Sequence, residues 1–243
     1  MIRDTFIFVP AYNVEKEILG LLESIPGEVL LRTVNVLIID DGSSDMTPEY
    51  ASRFARAEVR APVRVESFKT NSGYGTVVKY ALEKAKASGA RFAVCLHGDA
   101  QYPAAYISSC LSLLEKENAA IVQGSRLAEA GNARKGKMPL YKIAGGKFLS
   151  FIENLSFKYK LTDRHSGFLC YSADFLKQVD LSKLSKSFDI DLELLALADA
   201  GGFKLRELPI PTRYAGEKSN LKVIPYGFRV LKIAFLRLVG HYG

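Results

Sequence analysis

The chain has 243 residues, of which 48% are hydrophobic and 24% charged, a composition typical of a soluble globular protein with one large domain. No run of about eighteen apolar residues occurs, and the short apolar stretch near the N-terminus lacks a cleavage site, so we expect neither a membrane-spanning helix nor a signal peptide. The formal net charge of +7 predicts either attraction to phosphates, nucleic acids or anionic membranes, or basic helix faces that are simply solvated.

Strands and helices alternate in the first half of the chain. Apolar runs predict strands at residues 5–9, 34–39, 63–66, 92–96 and 119–123. Helical spacing of apolar residues predicts helices at residues 18–25, 47–57 and 77–86, and Pro103 marks the start of another. Because the strands are apolar throughout, the pattern predicts a mostly parallel, Rossmann-like α/β sheet with helices on both faces.

The alternation ends after Gly124. The second half contains predicted helices at residues 140–157, 189–199 and 221–239, a strand at 203–207 and a possible strand at 166–171. An irregular loop at residues 209–220 precedes the terminal helix, which contains Pro225. We therefore expect one domain over residues 1–220 and a basic, amphipathic helix over residues 221–243, either packed on that domain or bound to a membrane surface.

Polar residues follow three predicted strands at their carboxyl ends, where open α/β sheets bind their ligands. They are Pro10, Ala11, Tyr12 and Asn13, then residues 40–45 (Asp-Asp-Gly-Ser-Ser-Asp), then Asp99 and Gln101. The Tyr12 ring can stack on a nucleobase, and Asp99 can bind Mg²⁺ or Mn²⁺ against substrate phosphates. The alternative is turn and cap chemistry, since Asp45 can cap the helix that begins at residue 47.

These segments and several others follow the order found in a known family. The chain resembles the inverting glycosyltransferases of family 2, which have the GT-A fold, and is most similar to their dolichyl- and polyprenyl-phosphate sugar synthase branch. The resemblance covers nearly the whole chain. Its segments are residues 9–13 (Val-Pro-Ala-Tyr-Asn), 38–45 (Ile-Ile-Asp-Asp-Gly-Ser-Ser-Asp), 71–75 (Asn-Ser-Gly-Tyr-Gly), 99–101 (Asp-Ala-Gln), 124–126 (Gly-Ser-Arg), Asp163 with 166–168 (Ser-Gly-Phe), and 207–210 (Glu-Leu-Pro-Ile).

The resemblance implies a metal-dependent enzyme that moves a sugar from a nucleotide-diphosphate sugar, linked to UDP or GDP, to a polyprenyl (dolichyl) phosphate. A soluble or polysaccharide hydroxyl acceptor and a catalytically inactive nucleotide-sugar-binding protein are the alternatives. The implied nucleotide-binding residues are Pro10, Ala11, Tyr12, Asn13, Asp40, Asp41 and Gly73. Asp99 and Gln101 would bind Mg²⁺ or Mn²⁺. The diphosphate or acceptor would contact Arg126, Asp163, Ser166, Arg213, Lys218 and Ser219.

Three positions depart from the usual pattern of this branch. Val14 stands where an acid usually follows the Tyr-Asn pair, and Leu169 stands where an Arg often follows Ser-Gly-Phe. His97 replaces the first of two acids around the metal. A neutral histidine can bind a metal, but a packed or hydrogen-bonded histidine at a strand end is an equally consistent interpretation.

A general base is needed if the acceptor is a hydroxyl group, because its proton must be removed. Asp189 and Asp191 at a predicted helix start are the candidates, with Asp163 as a further catalytic carboxylate. Capping and favourable interaction with the helix dipole explain acids at this position equally well. A phosphate acceptor is already ionised near neutral pH and needs little help from a base.

The terminal helix and the basic residues between 132 and 160 predict a peripheral contact with a membrane. A basic amphipathic helix can lie in the membrane interface, where a polyprenyl phosphate would be found. Packing of the same helix on the sheet is the alternative.

Other classes of protein fit the sequence less well. A nucleic-acid-binding module is disfavoured because the crevice is acidic, and a dinucleotide-binding dehydrogenase because no Gly-x-Gly-x-x-Gly follows the first strand. Three cysteines in apolar surroundings predict buried free thiols and therefore a cytoplasmic location, with possible attachment to the membrane face.

Overall fold

A computed structural model describes residues 2–211 and 223–242 of the protein. Within these ranges seven strands form one sheet: β1 (Thr5–Ala11), β2 (Thr33–Asp40), β3 (Val63–Ser67), β4 (Phe92–Cys95), β5 (Ile121–Ser125), β6 (Leu169–Ser172) and β7 (Leu205–Pro209). The helices described there are α1 (Ile18–Glu23), α2 (Gly27–Leu31), α3 (Thr47–Ala57), α4 (Tyr74–Ala87), α5 (Ile107–Glu117), α6 (Asn132–Lys135), α7 (Leu140–Ser156), α8 (Ala173–Leu176), α9 (Ile190–Ala200) and α10 (Val223–Leu238).

The strands lie in the order β3-β2-β1-β4-β6-β5-β7. Every neighbouring pair is parallel except the two pairs that contain β6, which runs antiparallel to β4 and β5. The predicted mostly parallel sheet is therefore confirmed. The reversed direction of β6 was not predicted, because a four-residue apolar strand carries no sequence signal for its direction.

Both faces of the sheet are covered by helices, as the apolar strands predicted. Alternate side chains of β1 enter two separate cores, with Phe6 and Phe8 on one face and Ile7 and Val9 on the other. The period of two along a strand produces this division, and burial on both faces is why the interior of β1 holds no polar residue.

Helices α7 and α10 pack against each other on one side of the sheet. Val230 and Ile233 of α10 lie in the core, so this helix is anchored on the domain. Each helix also carries an exposed apolar stripe, described below. In the part of the chain that the structure describes, no helix combines the length and apolarity needed to cross a membrane.

Several element boundaries differ from the predicted ones. Helix α4 begins at Tyr74 rather than residue 77. Gly73, with a φ of 88°, is its N-cap residue, and the Gly73 carbonyl accepts hydrogen bonds from backbone amides of the first helical turn. Strand β5 begins two residues later than predicted, because Asn118 ends α5 in a left-handed conformation and Ala119 still bonds to that helix. The short helices α2, α6 and α8 were not predicted, since four or five residues give no periodic signal.

Candidate functional site

The carboxyl ends of β1, β2 and β4 adjoin at one edge of the sheet. The Asp41 amide donates to Ala11 O at 2.8 Å, and the Gly98 amide donates to Pro10 O at 3.0 Å. A Cβ on Gly98 would lie 2.9 Å from Pro10 O, so only glycine permits this approach. The structure therefore brings together the three polar segments that the sequence singled out.

The segment after β1 is locked to the loop after β2. The Asn13 amide donates to Ser43 Oγ at 2.9 Å, and Asn13 Oδ1 accepts from the Ser44 amide at 2.9 Å. Asn13 takes a left-handed φ of 52°, which asparagine tolerates well, and this conformation directs the chain away after Tyr12. Tyr12 remains 36% exposed, so its ring lies at the surface where a planar ligand can stack on it.

Asp40 and Asp41 are both buried and both accept backbone hydrogen bonds. Asp40 Oδ1 accepts from the Ser43 amide at 3.0 Å. Asp41 accepts from the amides of Ser72 and Gly73 at 2.7 and 3.0 Å, one at each carboxylate oxygen. Burial raises the pKa of Asp41 and the charge of Asp40 adds to this, while the two amide donors oppose it. The pair thus joins β2 to the start of α4, and Gly73 takes part as the backbone donor.

Asp45 and Glu15 fix the opposite side of this loop. Asp45 Oδ1 accepts from the Thr47 amide at 3.0 Å in the turn before α3, and its Oδ2 accepts from the Glu15 amide at 3.1 Å. The N-cap position of α3 is Met46, so Asp45 forms this turn and is not the N-cap residue. Glu15 in turn accepts from the Met46 amide at 3.0 Å. The acid that stands one residue later than the usual family position is therefore used to hold the loop.

Asp99 and Gln101 lie in one turn after β4. Asp99 Oδ1 accepts from the Gln101 amide at 3.1 Å, and Ala100 between them has a left-handed φ of 54°. Residues 2–211 and 223–242 contain no group of three or more His, Cys, Asp or Glu placed to hold a metal ion. One carboxylate and one amide oxygen suit Mg²⁺ or Mn²⁺, which usually takes its remaining ligands from water and substrate phosphates. The donor set therefore fits a cation that binds together with a diphosphate.

His97 lies beside this turn but faces another partner. Its Nε2 lies 3.0 Å from the Tyr74 hydroxyl, which also donates to Asp191 Oδ2 at 2.9 Å. Burial lowers the pKa of His97, so the ring is neutral near pH 7. Of the two interpretations of His97, the structure shows a hydrogen-bonded ring at the strand end.

Arg126 and Asp163 form a buried ion pair. Arg126 Nε lies 2.6 Å from Asp163 Oδ2, and its Nη2 lies 2.9 Å from Oδ1. Burial alone would raise the pKa of Asp163, but the Arg126 guanidinium outweighs burial and lowers the pKa of this carboxyl. Both residues stand where the resemblance expects the sugar or acceptor, and each holds the other in place.

The acids at the start of α9 have different surroundings. Asp189 Oδ1 pairs with Arg229 Nε of α10 at 2.9 Å. Among the described residues Asp191 has no cationic partner, and burial raises its pKa to about 7, against the lowering effect of the Tyr74 hydrogen bond. Asp191 is thus a carboxyl group that can exchange a proton near neutral pH.

Ser166 and three residues between positions 213 and 219 are the remaining predicted site residues. Ser166 is buried, and its carbonyl accepts from Gln123 Nε2 at 2.7 Å. Arg213, Lys218 and Ser219 lie outside the described residues.

Sequence reasoning missed two contributors to the site. Tyr74 belongs to the Asn-Ser-Gly-Tyr-Gly segment, but the resemblance implies no role for it. A hydroxyl group directly after a glycine turn is the sequence signal that could have identified it. Glu207 accepts from the amides of Thr162 and Asp163 at 2.7 and 2.9 Å and so orders the Asp163 loop. Nothing in the sequence indicated that contact, because the partners are more than forty residues apart.

The sequence is similar to those of known proteins over most of its length. The sequence model of the family described as "Glycosyl transferase family 2" matches residues 6–180. A UDP-N-acetylglucosamine–dolichyl-phosphate N-acetylglucosaminyltransferase of Methanococcus voltae is 27% identical over 219 residues, which are 86% of this chain and 85% of that protein. A polyprenol monophosphomannose synthase of Mycolicibacterium smegmatis is 27% identical over 211 residues, or 85% of this chain and 76% of that protein.

A solved structure has a similar fold. The glucosyl-3-phosphoglycerate synthase of Mycobacterium tuberculosis superposes with a TM-score of 0.70 at 16% identity, covering 98% of this chain and 81% of that one. Another structure of that enzyme, with a TM-score of 0.67 at 17% identity over 98% of this chain and 80% of that one, contains Mn²⁺, UDP and glucosyl-3-phosphoglycerate.

Proposed function

The chain belongs to glycosyl transferase family 2 and has the GT-A fold, and from this premise we propose that it transfers a sugar from a nucleotide-diphosphate sugar to a polyprenyl phosphate at a membrane surface. Glycosyl transfer itself follows from the family. The donor, the cation, the acceptor and the membrane contact are the proposal.

The nucleotide of the donor binds at the edge formed by β1 and β2. Tyr12 offers an exposed ring for stacking on the base, next to backbone groups of Pro10 and Ala11. Asp40 and Asp41 supply carboxylate oxygens for base or ribose groups, through lone pairs beyond those used by the backbone amides. The base is uracil or guanine, and the UDP complex of the fold neighbour supports the first choice.

Asp99 and Gln101 hold the divalent cation against the donor diphosphate. When bound, Mg²⁺ or Mn²⁺ supplies positive charge that stabilises the leaving diphosphate. Arg126 lies on the acceptor side and is kept in position by Asp163. Arg213, Lys218 and Ser219 are proposed as diphosphate contacts on the basis of the resemblance alone.

The observation that carries the acceptor assignment is an exposed apolar surface on α7 and α10. Its side chains on α10 recur three or four residues apart and form one stripe. Its side chains on α7 are two adjacent residues at the helix start and three more, three or four residues apart, from residue 148 onward, which form a second stripe. They are Leu140, Tyr141, Phe148, Phe151 and Leu155 on α7, and Ile224, Phe228, Leu231, Phe235 and Leu238 on α10, with exposures from 38 to 75%. We call these ten residues the apolar face. A soluble protein rarely exposes so large an apolar surface without a binding partner.

Basic residues accompany the apolar face. Arg134, Lys135 and Lys137 precede α7, Lys147 is exposed on α7, and Lys232 is exposed on α10. Apolar side chains inserted among acyl chains and lysines at the level of anionic headgroups are the two contributions that hold interfacial helices on membranes.

The apolar face is joined to the acceptor side of the site. Tyr226 of α10 contacts His165 Nδ1 at 3.0 Å, two residues after Asp163, and Arg229 of α10 pairs with Asp189. A polyprenyl phosphate held with its chain in the membrane would therefore present its phosphate near these loops. Three buried free cysteines suit the reducing cytoplasm, so the proposed location is the cytoplasmic face of the membrane.

Transfer assays with two classes of acceptor test this proposal. Purified protein is incubated with Mn²⁺ and radiolabelled UDP- and GDP-sugars, in vesicles of phosphatidylglycerol with and without a polyprenyl phosphate. We expect label in the lipid fraction only when the polyprenyl phosphate is present. Transfer to water-soluble hydroxyl acceptors with none to the lipid would contradict the proposed acceptor.

A hydroxyl acceptor is the second candidate, and Asp191 favours it. A buried carboxyl with a pKa of about 7 is well matched to removing a hydroxyl proton at neutral pH. A structure of the fold neighbour contains phosphoglyceric acid, and this water-soluble ligand supports an acceptor that is not a lipid. The same assay distinguishes the two candidates.

A further inference from the structure

Tyr74 lies where three parts of the site meet. The residue before it, Gly73, donates its amide to Asp41 at the nucleotide edge. The Tyr74 hydroxyl reaches His97 after β4 and Asp191 at the start of α9, at 3.0 and 2.9 Å. One side chain therefore connects the nucleotide edge, the turn that carries Asp99, and the acceptor helix.

The Tyr74 ring is fixed by its neighbours. Phe188 stacks on it with ring centroids 5.2 Å apart and an interplanar angle of 11°, and His97 packs against it at 5.1 Å. A Cβ on the next residue, Gly75, would lie 2.5 Å from the carbonyl carbon of Lys186, so the first turn of α4 is seated directly against the segment before α9. The hydroxyl thus has little freedom to choose other partners.

His97 is enclosed from its other side as well. A Cβ on Gly167 would lie 2.3 Å from His97 Nε2, and the Gly167 amide donates to the Tyr102 hydroxyl at 3.0 Å. Tyr102 meets the His97 ring edge to face, with centroids 5.3 Å apart. The ring that replaces the usual acid is therefore oriented toward Tyr74 by packing on two sides.

We propose that Tyr74 is a positioning residue, whose hydroxyl holds the His97 ring and the Asp191 carboxylate in fixed relation across the donor and acceptor sides of the site. The proposal rests on the proposed function. When Tyr74 donates its single proton to the Asp191 carboxylate, it must accept from His97, so His97 carries its proton on Nε2. Loss of the hydroxyl then removes a hydrogen bond from His97 and from Asp191 at once, although both residues are still present.

A double-mutant cycle on turnover tests this role. Y74F keeps the ring and removes the hydroxyl, and we expect kcat to fall about tenfold while KM for the donor changes less than about twofold. In Y74F/D191N the losses should not multiply, because both substitutions break the same hydrogen bond. Y80F is the matched control: Tyr80 lies on the same helix, its hydroxyl donates to Glu66, and kcat should equal that of the wild type.

A second readout does not depend on turnover. Nitrogen-15 NMR of the histidine rings at pH 9, with Mn²⁺ omitted, reports which ring nitrogen of His97 carries the proton, and the chain contains only two other histidines to assign. We expect the Nε2–H form in the wild type and a changed Nε2 signal in Y74F and not in Y80F.

The outcomes separate the two proposals. Wild-type kcat in Y74F, or losses that multiply in the double variant, would overturn the role of Tyr74 while leaving the transferase function intact. If wild-type protein transfers no sugar from any nucleotide donor, the proposed function fails. In that case, or if Y74F does not fold, an Nδ1–H form of wild-type His97 would still overturn the inference.

Discussion

At the scale of single residues, the two acids of α9 show how environment separates identical side chains. Asp189 forms an ion pair with Arg229 of α10, whose Nε lies 2.9 Å from Asp189 Oδ1. Asp191, two residues later, is buried, pairs with no cation among the residues that the structure describes, and accepts a hydrogen bond from the phenol of Tyr74. Since burial penalises the charged form, the first residue serves as an anchor for α10 and the second as a group poised to exchange a proton.

The raised pKa of Asp191 predicts that the folded protein becomes less stable as the pH rises. Between the ordinary aspartate value of 3.8 and about 7, the unfolded chain loses this proton before the folded chain does, so stability falls as pH rises. D191N removes this loss. We expect its advantage in unfolding free energy over the wild type to grow by about 2 kcal/mol from pH 5 to pH 8, measured by denaturant unfolding.

Neighbouring groups define the control for that measurement. The titratable groups around Asp191 are Asp189, Tyr74, Cys95, Tyr171 and Tyr226, together with His97, which contacts the same Tyr74 hydroxyl. Burial raises the pKa of the three tyrosines and of Cys95, so these four are neutral from pH 5 to 8, whereas burial lowers the pKa of His97. D174N, at an exposed side chain of α8, is the matched variant and should show no pH-dependent gain. Equal gains for D191N at pH 5 and pH 8 would refute the assignment of a raised pKa.

Some site residues could be predicted from the sequence and others could not. The spacing of Tyr12, Asp41 and Asp99 after apolar strands was enough to bring them to one edge, because strand ends in a parallel sheet coincide. Asp163 and Arg126 were predicted as separate contacts, whereas the structure joins them as a buried pair. Pairings of residues far apart in the chain depend on tertiary packing, which local patterns do not contain.

At the scale of elements, the apolar face makes a specific prediction for membrane binding. F151E and F228E each place a charge at the centre of one stripe, and we expect each to weaken binding to phosphatidylglycerol vesicles more than tenfold in co-sedimentation. V59E is the matched control, because Val59 is 90% exposed but lies outside the apolar face. Equal vesicle binding by F151E, F228E and V59E would exclude the apolar face as the membrane contact.

The seating of α4 against the segment before α9 is a second prediction at this scale. In G75A the new methyl group would meet the Lys186 and Ser187 backbone at 2.5 to 2.6 Å, so we expect a loss of about 1–3 kcal/mol in unfolding free energy. G20A in α1 meets nothing within 4 Å and should gain about 0.5–1 kcal/mol, because alanine favours helix. Similar stability changes in both variants, measured by urea unfolding, would show that α4 is not closely seated.

Most elements were predicted from the sequence because the long helices and apolar strands have strong periodicity. The antiparallel strand β6 and the short helices α2, α6 and α8 were the exceptions for direction or existence. β6 lies between β4 and β5, and α6 and α7 lie in the long connection that leads to it from β5. Its direction has no local sequence signature. The sequence also left open whether the terminal helix packs or binds a membrane, and α10 buries one side and exposes the other.

At the scale of the whole molecule, the two halves of the sheet carry different groups of candidate site residues. β2, β1 and β4 end in the residues assigned to the donor and its cation. The loop before β6 and the start of α9 carry Asp163 and Asp191, and α10 connects both to the apolar face. The reaction centre that we propose lies where these halves meet, around His97 and Tyr74.

Calorimetric titration of UDP and GDP into the protein, with and without Mn²⁺, tests the donor site most directly. We predict that one of the two nucleotides binds in an Mn²⁺-dependent manner, and that D99N weakens this binding at least about tenfold while D174N leaves it unchanged. Binding of neither nucleotide, or binding that is indifferent to both Mn²⁺ and Asp99, would contradict the account.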